Sequence, residues 1–90
     1  MAARPAQGTT LGIDVGGSKT LLARVAWPAG RILERETLAT PAGAASGAPF
    51  LASVAAAAAR LGAGCAAIGL SLCELVEPGG RIASAHRLRW

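Results

Sequence analysis

The chain's single lysine, Lys19, lies in LGIDVGGSKT, residues 11–20. From Asp14 to Thr20 this stretch sets out a carboxylate, the paired glycines Gly16 and Gly17, the hydroxyls of Ser18 and Thr20, and the Lys19 ammonium. These types suit nucleotide phosphates. Glycines let backbone N–H groups converge on an anion, the hydroxyls add donors, and Lys19 neutralises charge. Asp14 beside phosphates would be repelled unless a cation mediates, so its natural role is to hold Mg²⁺, usually through water. The same residues also make a plain hairpin whose Asp caps turn amides. Spacing alone leaves both readings open. A P-loop is excluded, because Ser18 separates Gly17 from Lys19 and the residues that follow read as a strand, not a helix. The G-x-G-x-x-G dinucleotide fingerprint is absent as well.

The elements around this stretch follow from period and punctuation. Residues 1–9 read as a loose leader, ahead of a domain over 10–90. Leu11, Ile13 and Val15 alternate with Gly12, Asp14 and Gly16, which predicts a half-buried strand. Its second face carries one carboxylate between glycines, so a ligand could approach closely. Gly16-Gly17 is a turn signal. A second strand is expected over Lys19 to Trp27, with Leu21, Ala23, Val25 and Trp27 on one face, closed by Pro28-Ala29-Gly30. A third, over Arg31 to Ala39, mixes apolar residues with Glu34, Arg35 and Glu36, as suits a wet edge strand.

After a loop over Pro41 to Gly47, Pro49 suits a first helical turn. Phe50, Val54, Ala58 and Leu61 form one apolar stripe. Arg60 complements the helix dipole, and Gly62 or Gly64 can end the helix. AAIGLSL, residues 66–72, is nearly continuously apolar and predicts a central strand covered on both faces, parallel to a sheet neighbour through a right-handed crossover. Pro78-Gly79-Gly80 marks a closing hairpin.

Composition narrows the function classes. The chain has 90 residues and a hydrophobic fraction of 52%, of which 22 residues are alanine, so the core is small. Net charge is +4, from eight scattered arginines and Lys19 against five acids; Arg81, His86, Arg87 and Arg89 come nearest to a cluster. With three aromatics there is no dense basic patch for nucleic acid. Cys65 and Cys73 lack metal-ligand spacing; they read as buried free thiols of a reduced compartment, with a disulfide as the alternative. No apolar signal segment follows Arg4. The uncharged stretch 37–59 is too weakly apolar to span a membrane. A cytoplasmic protein without a membrane partner is expected.

The combination LGIDVGGSKTLLARV followed by GRILERETLATPAG resembles the opening of the ROK family of sugar kinases and repressors, in the actin-like ATPase superfamily. The family opening is close to Gly-Ile-Asp-x-Gly-Gly-Thr-Lys; here Gly12 to Lys19 match it with Ser18 for Thr. AAIGLSL…VEPGGRIASAHRLRW is similar to a later family segment of the form Gly-[Ile/Val]-Gly-x-Pro-Gly-x-[Val/Ile]-Asp, with a glycine turn and a terminal Trp. The match covers about residues 10–90. It implies an α/β fold, the N-terminal part of an actin-like (ribonuclease H-like) lobe with order β-β-β-α-β, a mixed sheet and a following hairpin.

The resemblance also implies MgATP-dependent phosphoryl transfer to a sugar hydroxyl, glucokinase-like, with ATP and Mg²⁺ as cofactors. Asp14 would hold Mg²⁺ via water, and Gly16, Gly17, Ser18, Lys19 and Thr20 would form the phosphate turn. Partners would be a nucleotide and a small-molecule sugar, and the full-length family member could form a homo-oligomer. The chain departs from the pattern at Cys73-Glu74-Leu75, where the family has Pro-Gly-Pro, and at Glu77, where it has Asp. Cys73 and Glu74 could line a sugar pocket or simply end a strand. His86 reads as a surface residue, and Trp27 and Trp90 as packing or edge-capping rings.

The sequence given stops before the family's catalytic aspartate, its cysteine-rich zinc motif, its sugar-ligating Glu and His and its second nucleotide-binding half. The isolated 90-residue chain is therefore expected to be inactive as a sugar kinase. Two further classes compete: a non-catalytic truncated family protein, and a family repressor, against which stands the absence of a winged helix in the eleven residues before Gly12.

Overall fold

A computed structural model of the chain describes residues 8–43, 47–84 and 88. Strands β1 (Gly8–Val15), β2 (Lys19–Trp27) and β3 (Arg31–Ala39) form an antiparallel meander, followed by helix α1 (Gly47–Leu61) and strand β4 (Ala67–Leu72). The sheet order is β3-β2-β1-β4, with β4 parallel to β1. The mixed α/β sheet with its single crossover is the expected architecture. The closing turn at Pro78–Gly80 is held by a single antiparallel bridge, Val76 to Ile82, and by Gly79 and Gly80 at φ 97° and 87°. The first strand starts earlier than the leader reading placed it. Gly8 and Thr9 pair with Trp27 and Ala26, because β2 is long enough to template them. The remainder of the predicted leader, residues 1–7, lies outside the described residues, as do His86 and Trp90.

Alternation divides the sheet into two unlike faces. Leu11, Ile13 and Val15 pair across with Arg24, Leu22 and Thr20, so all six point to the face that α1 covers. There Leu11, Ile13, Val15 and Leu22 join Phe50, Ala57, Leu61 and Leu88 in the core, with Val54 and Ala58 packed against them. The predicted helical stripe is thus the buried one. Three polar contacts pin the helix. Arg24 donates through Nη1 to the Leu61 and Ala63 carbonyls, at 2.8 and 2.6 Å, closing the helix C-terminus. Arg60 reaches both Glu36 carboxylate oxygens at 2.6 Å. Gly62 passes so close to the helix end that a Cβ would lie 2.6 Å from the Ala58 carbonyl oxygen.

Two expectations fail at the β4 side. AAIGLSL was expected to be a covered central strand; β4 is instead an edge strand. Ile68 and Leu70 point to the α1 side of the sheet, yet each is 62% exposed. The helix packs mainly on β1 to β3, and among the described β4 residues Leu72 at its far end is the one that packs against the core. The thiols are free, as expected, but Cys65 is only part-buried and Cys73 is exposed, because Cys73 lies just past the end of this uncovered strand.

Candidate nucleotide-phosphate site

The face opposite α1 carries Gly12, Asp14, Leu21, Ala23, Gly69 and Ser71, which line an open groove of about 410 Å³. Its floor is low because two strands contribute glycine there. A Cβ on Gly69 would meet nothing within 4 Å, and one on Gly12 only the Ala23 carbonyl oxygen at 3.9 Å. Asp14 stands exposed above this floor. The β1–β4 register sets Asp14 directly beside Ser71, whose hydroxyl donates to Asp14 Oδ1 at 2.7 Å. By strand alternation Lys19 rises on the same face, and it forms no ion pair with Asp14.

The turn beyond Val15 is a compact loop. The Gly16 amide donates to the Lys19 carbonyl at 3.0 Å, and the Ser18 carbonyl accepts from the Thr40 amide at 2.9 Å. Neither Gly16 nor Gly17 has positive φ. Gly16 is required by closeness instead, since a Cβ there would lie 2.8 Å from the Lys19 carbonyl oxygen. Among the described residues, no backbone carbonyl takes the Gly17 or Ser18 amide. Two N–H groups are thus left at the turn beside an exposed Ser18 hydroxyl and the exposed Lys19 side chain, a donor set suited to an anion.

The predicted set is not brought together whole. Thr20 is fully buried on the α1 side, and its hydroxyl is bonded to that of Thr40 at 2.8 Å. It braces the base of the turn, and its side chain is not free to meet a phosphate. Glu74 is only 9% exposed. Its Oε1 accepts from the Ser84 hydroxyl at 2.8 Å and its Oε2 from the Leu88 amide at 2.7 Å. Both oxygens fasten the segment after β4, so the carboxylate serves as a structural tie. Cys73 does reach the turn: its amide donates to the Val15 carbonyl at 3.1 Å, which places its exposed side chain at the shared carboxyl ends of β1 and β4. Ser71 was not foreseen. The available signal was that it occupies the second glycine position of the quoted Gly-x-Gly segment, where a glycine offers no side-chain donor.

Among the described residues no group of three or more His, Cys, Asp or Glu could hold a metal ion. Asp14 alone is a poor cage for a cation but fits Mg²⁺ shared with phosphate oxygens and water, the usual arrangement for this ion. Trp27 donates through Nε1 to the Thr10 hydroxyl at 2.7 Å and so caps the far end of the same face.

This sheet, with its single crossover helix and glycine turn, is the N-terminal portion of an actin-like ATPase fold. Within that class the chain is ROK-like. It is similar to a ROK family glucokinase from Streptomyces griseus, solved with glucose and AMPPNP, at 32% identity and TM-score 0.60 over 77% of this chain. It also shares its fold with a Listeria monocytogenes protein named as a candidate N-acetylmannosamine kinase, at 22% identity and TM-score 0.63 over 79% of this chain. The chain spans only 22% and 23% of those two proteins. No family model and no curated protein matches it. No helix among the described residues is long and apolar enough to cross a membrane.

Proposed function

We propose that this chain supplies the first phosphate-binding segment of an ATP-dependent sugar kinase, which transfers a phosphoryl group from MgATP to a hexose hydroxyl. The observation that carries this reading is the pairing of an exposed carboxylate with a donor-rich turn at one strand end. Asp14 stands over a glycine floor, and the Gly17 and Ser18 amides beyond it have no backbone acceptor. The glucose and AMPPNP bound by the Streptomyces griseus protein support nucleotide and sugar as ligand classes.

In this reading the Gly17 and Ser18 amides and the Ser18 hydroxyl orient the terminal phosphates, and Lys19 offsets their charge. Asp14 holds a water shell around Mg²⁺. The ion would supply positive charge to offset the negative charge that develops during transfer. The protein's own contribution is positioning and preorganised charge. A general base for the sugar hydroxyl is not assigned to any described residue, so the 90-residue chain is expected to bind nucleotide weakly and to turn over no sugar.

The test is a titration of the isotopically labelled chain with MgAMPPNP, followed by amide chemical shifts. Shifts should concentrate at Gly16 to Lys19 and should weaken at least tenfold in apparent affinity on Asp14→Ala. Shifts spread evenly over the basic residues, or insensitive to that substitution, would overturn the reading.

A further inference from the structure

The turn explains how phosphates could be held, but not what fixes the carboxylate beside it. Asp14 lies on an open face, between Gly12 and Gly16 along the chain and opposite Leu21 on β2, and an exposed Asp side chain is free to change rotamer. Among the described residues its one side-chain hydrogen bond comes from Ser71, on the adjacent parallel strand and 57 residues away in sequence. Among the described residues, Oδ2 takes no hydrogen bond. Among the described residues the serine hydroxyl has no competing partner, and the β1–β4 register brings the two side chains to the same face at the same level.

We propose that Ser71 is a positioning residue for Asp14: by donating to Oδ1 it holds the carboxylate in one orientation and leaves Oδ2 for the hydrated cation of a bound nucleotide. The proposal rests on the phosphate-turn reading above and deepens it. It gives β4 a role at the nucleotide end of the site, because any change in the β1–β4 register would move the donor away from the carboxylate. A hydrogen-bonded orienting partner typically changes metal affinity 10–100-fold. Where the ion is held through water, the low end of that range is expected.

The experiment uses the 90-residue chain with AMPPNP and Mn²⁺ as a paramagnetic probe. Two quantities are read: the Mn²⁺ midpoint for broadening of the Gly16–Ser18 amides, and the Asp14 Hα–Hβ couplings that report its rotamer. In the wild type the broadening should be confined to the turn and the couplings should show one dominant rotamer. Ser71→Ala should raise the midpoint about tenfold and average the couplings, while Ser71→Thr, which keeps the hydroxyl, should restore both. Asp14→Asn keeps the acceptor but removes the charge, so it should retain the ordered rotamer and lose the Mn²⁺ effect.

A wild-type chain that binds Mn²⁺ at the turn, with Ser71→Ala unchanged in midpoint and couplings, would overturn the positioning role and leave the phosphate turn standing. A wild type with no localised broadening would overturn the phosphate turn and the positioning role together. Retained amide dispersion in each variant separates these outcomes from loss of the fold, and Asp14→Asn supplies the comparison without touching Ser71.

Discussion

The two faces of the sheet are built from the same strands by opposite rules. On the α1 side, alternate residues of β1 and β2 are large and interlock with the helix; Leu11 and Leu22 are almost wholly buried. On the other side the alternate positions of β1 and β4 are Gly12, Asp14, Gly69 and Ser71, small or polar, and β2 adds the buried Ala23 and the part-buried Leu21. The difference shows a division of labour at single-residue resolution along the chain. One face supplies packing free energy, and the other, less buried, is the face on which the proposed nucleotide would lie. Adjacent residues of one strand can therefore be assigned to the packed or to the open face by parity alone.

Leu21 and Leu22 give the sharpest way to break that contrast. Leu22 is fully buried and Leu21 only part-buried on the open face. Leu22→Ala is expected to cost about 2–5 kcal/mol, enough in so small a domain to remove the cooperative unfolding transition in urea. Leu21→Ala should cost about 1 kcal/mol or less, in the range of substitutions outside a packed core. Equal losses for the two would mean that the open face is packed in solution.

Glycines divide in the same way. Gly16→Ala forces a Cβ against the Lys19 carbonyl, a backbone atom that cannot swing aside. The substitution should cost about 1–3 kcal/mol, as overpacking does, and should abolish MgAMPPNP shifts at the turn. Gly69→Ala has open space and should leave the urea midpoint nearly unchanged while perturbing the groove beside Asp14. Thermal melts and the nucleotide titration, run on both variants, check the pair.

The two threonine–serine positions of the turn extend the test to polar groups. Thr20→Val removes a buried hydroxyl and strips Thr40 of its partner, at an expected cost of about 1–3 kcal/mol, with nucleotide affinity unchanged in whatever fraction remains folded. Ser18→Ala should do the reverse: no measurable effect on stability and a weaker titration at the turn.

Much of this division was legible in the sequence, and the failures have physical causes. The meander, the helical stripe and the bare face around Asp14 follow from periods of two and 3.6, which local residue patterns encode directly. Thr20 was legible too, since it shares parity with Leu22, but its hydroxyl drew it into the phosphate turn on residue type alone. The β4 reading failed because a continuous apolar run records what a strand could bury, not how far the neighbouring helix reaches. Arg24 and Ser71 were missed for a shared reason. Their partners, the Leu61 and Ala63 carbonyls and the Asp14 carboxylate, lie 37 to 57 residues away and meet them only through register.

The smallest expected effect on stability lies where the covered face runs out. The two edges of the sheet differ as its faces do. β3 is guarded by Arg31, Glu34, Arg35 and Glu36 and broken by a register shift opposite Arg24 and Val25. β4 has no charge and no proline, and it presents Ile68 and Leu70 beside an unpaired backbone edge. An apolar, uncharged edge strand templates pairing with other chains, and charge on the edge suppresses it. Leu70→Lys, at an exposed site, should change stability by no more than about 0.5 kcal/mol. It should nevertheless reduce concentration-dependent association, read as the loss of large species in sedimentation velocity between dilute and concentrated samples. The matched control is Leu33→Lys on β3, an exposed leucine on the edge that already carries charge. That substitution should leave sedimentation unchanged, because the β3 edge already resists pairing. If both substitutions act alike, or neither does, the asymmetry between the edges has no consequence in solution, and burial of Ile68 and Leu70 is not what this sheet lacks.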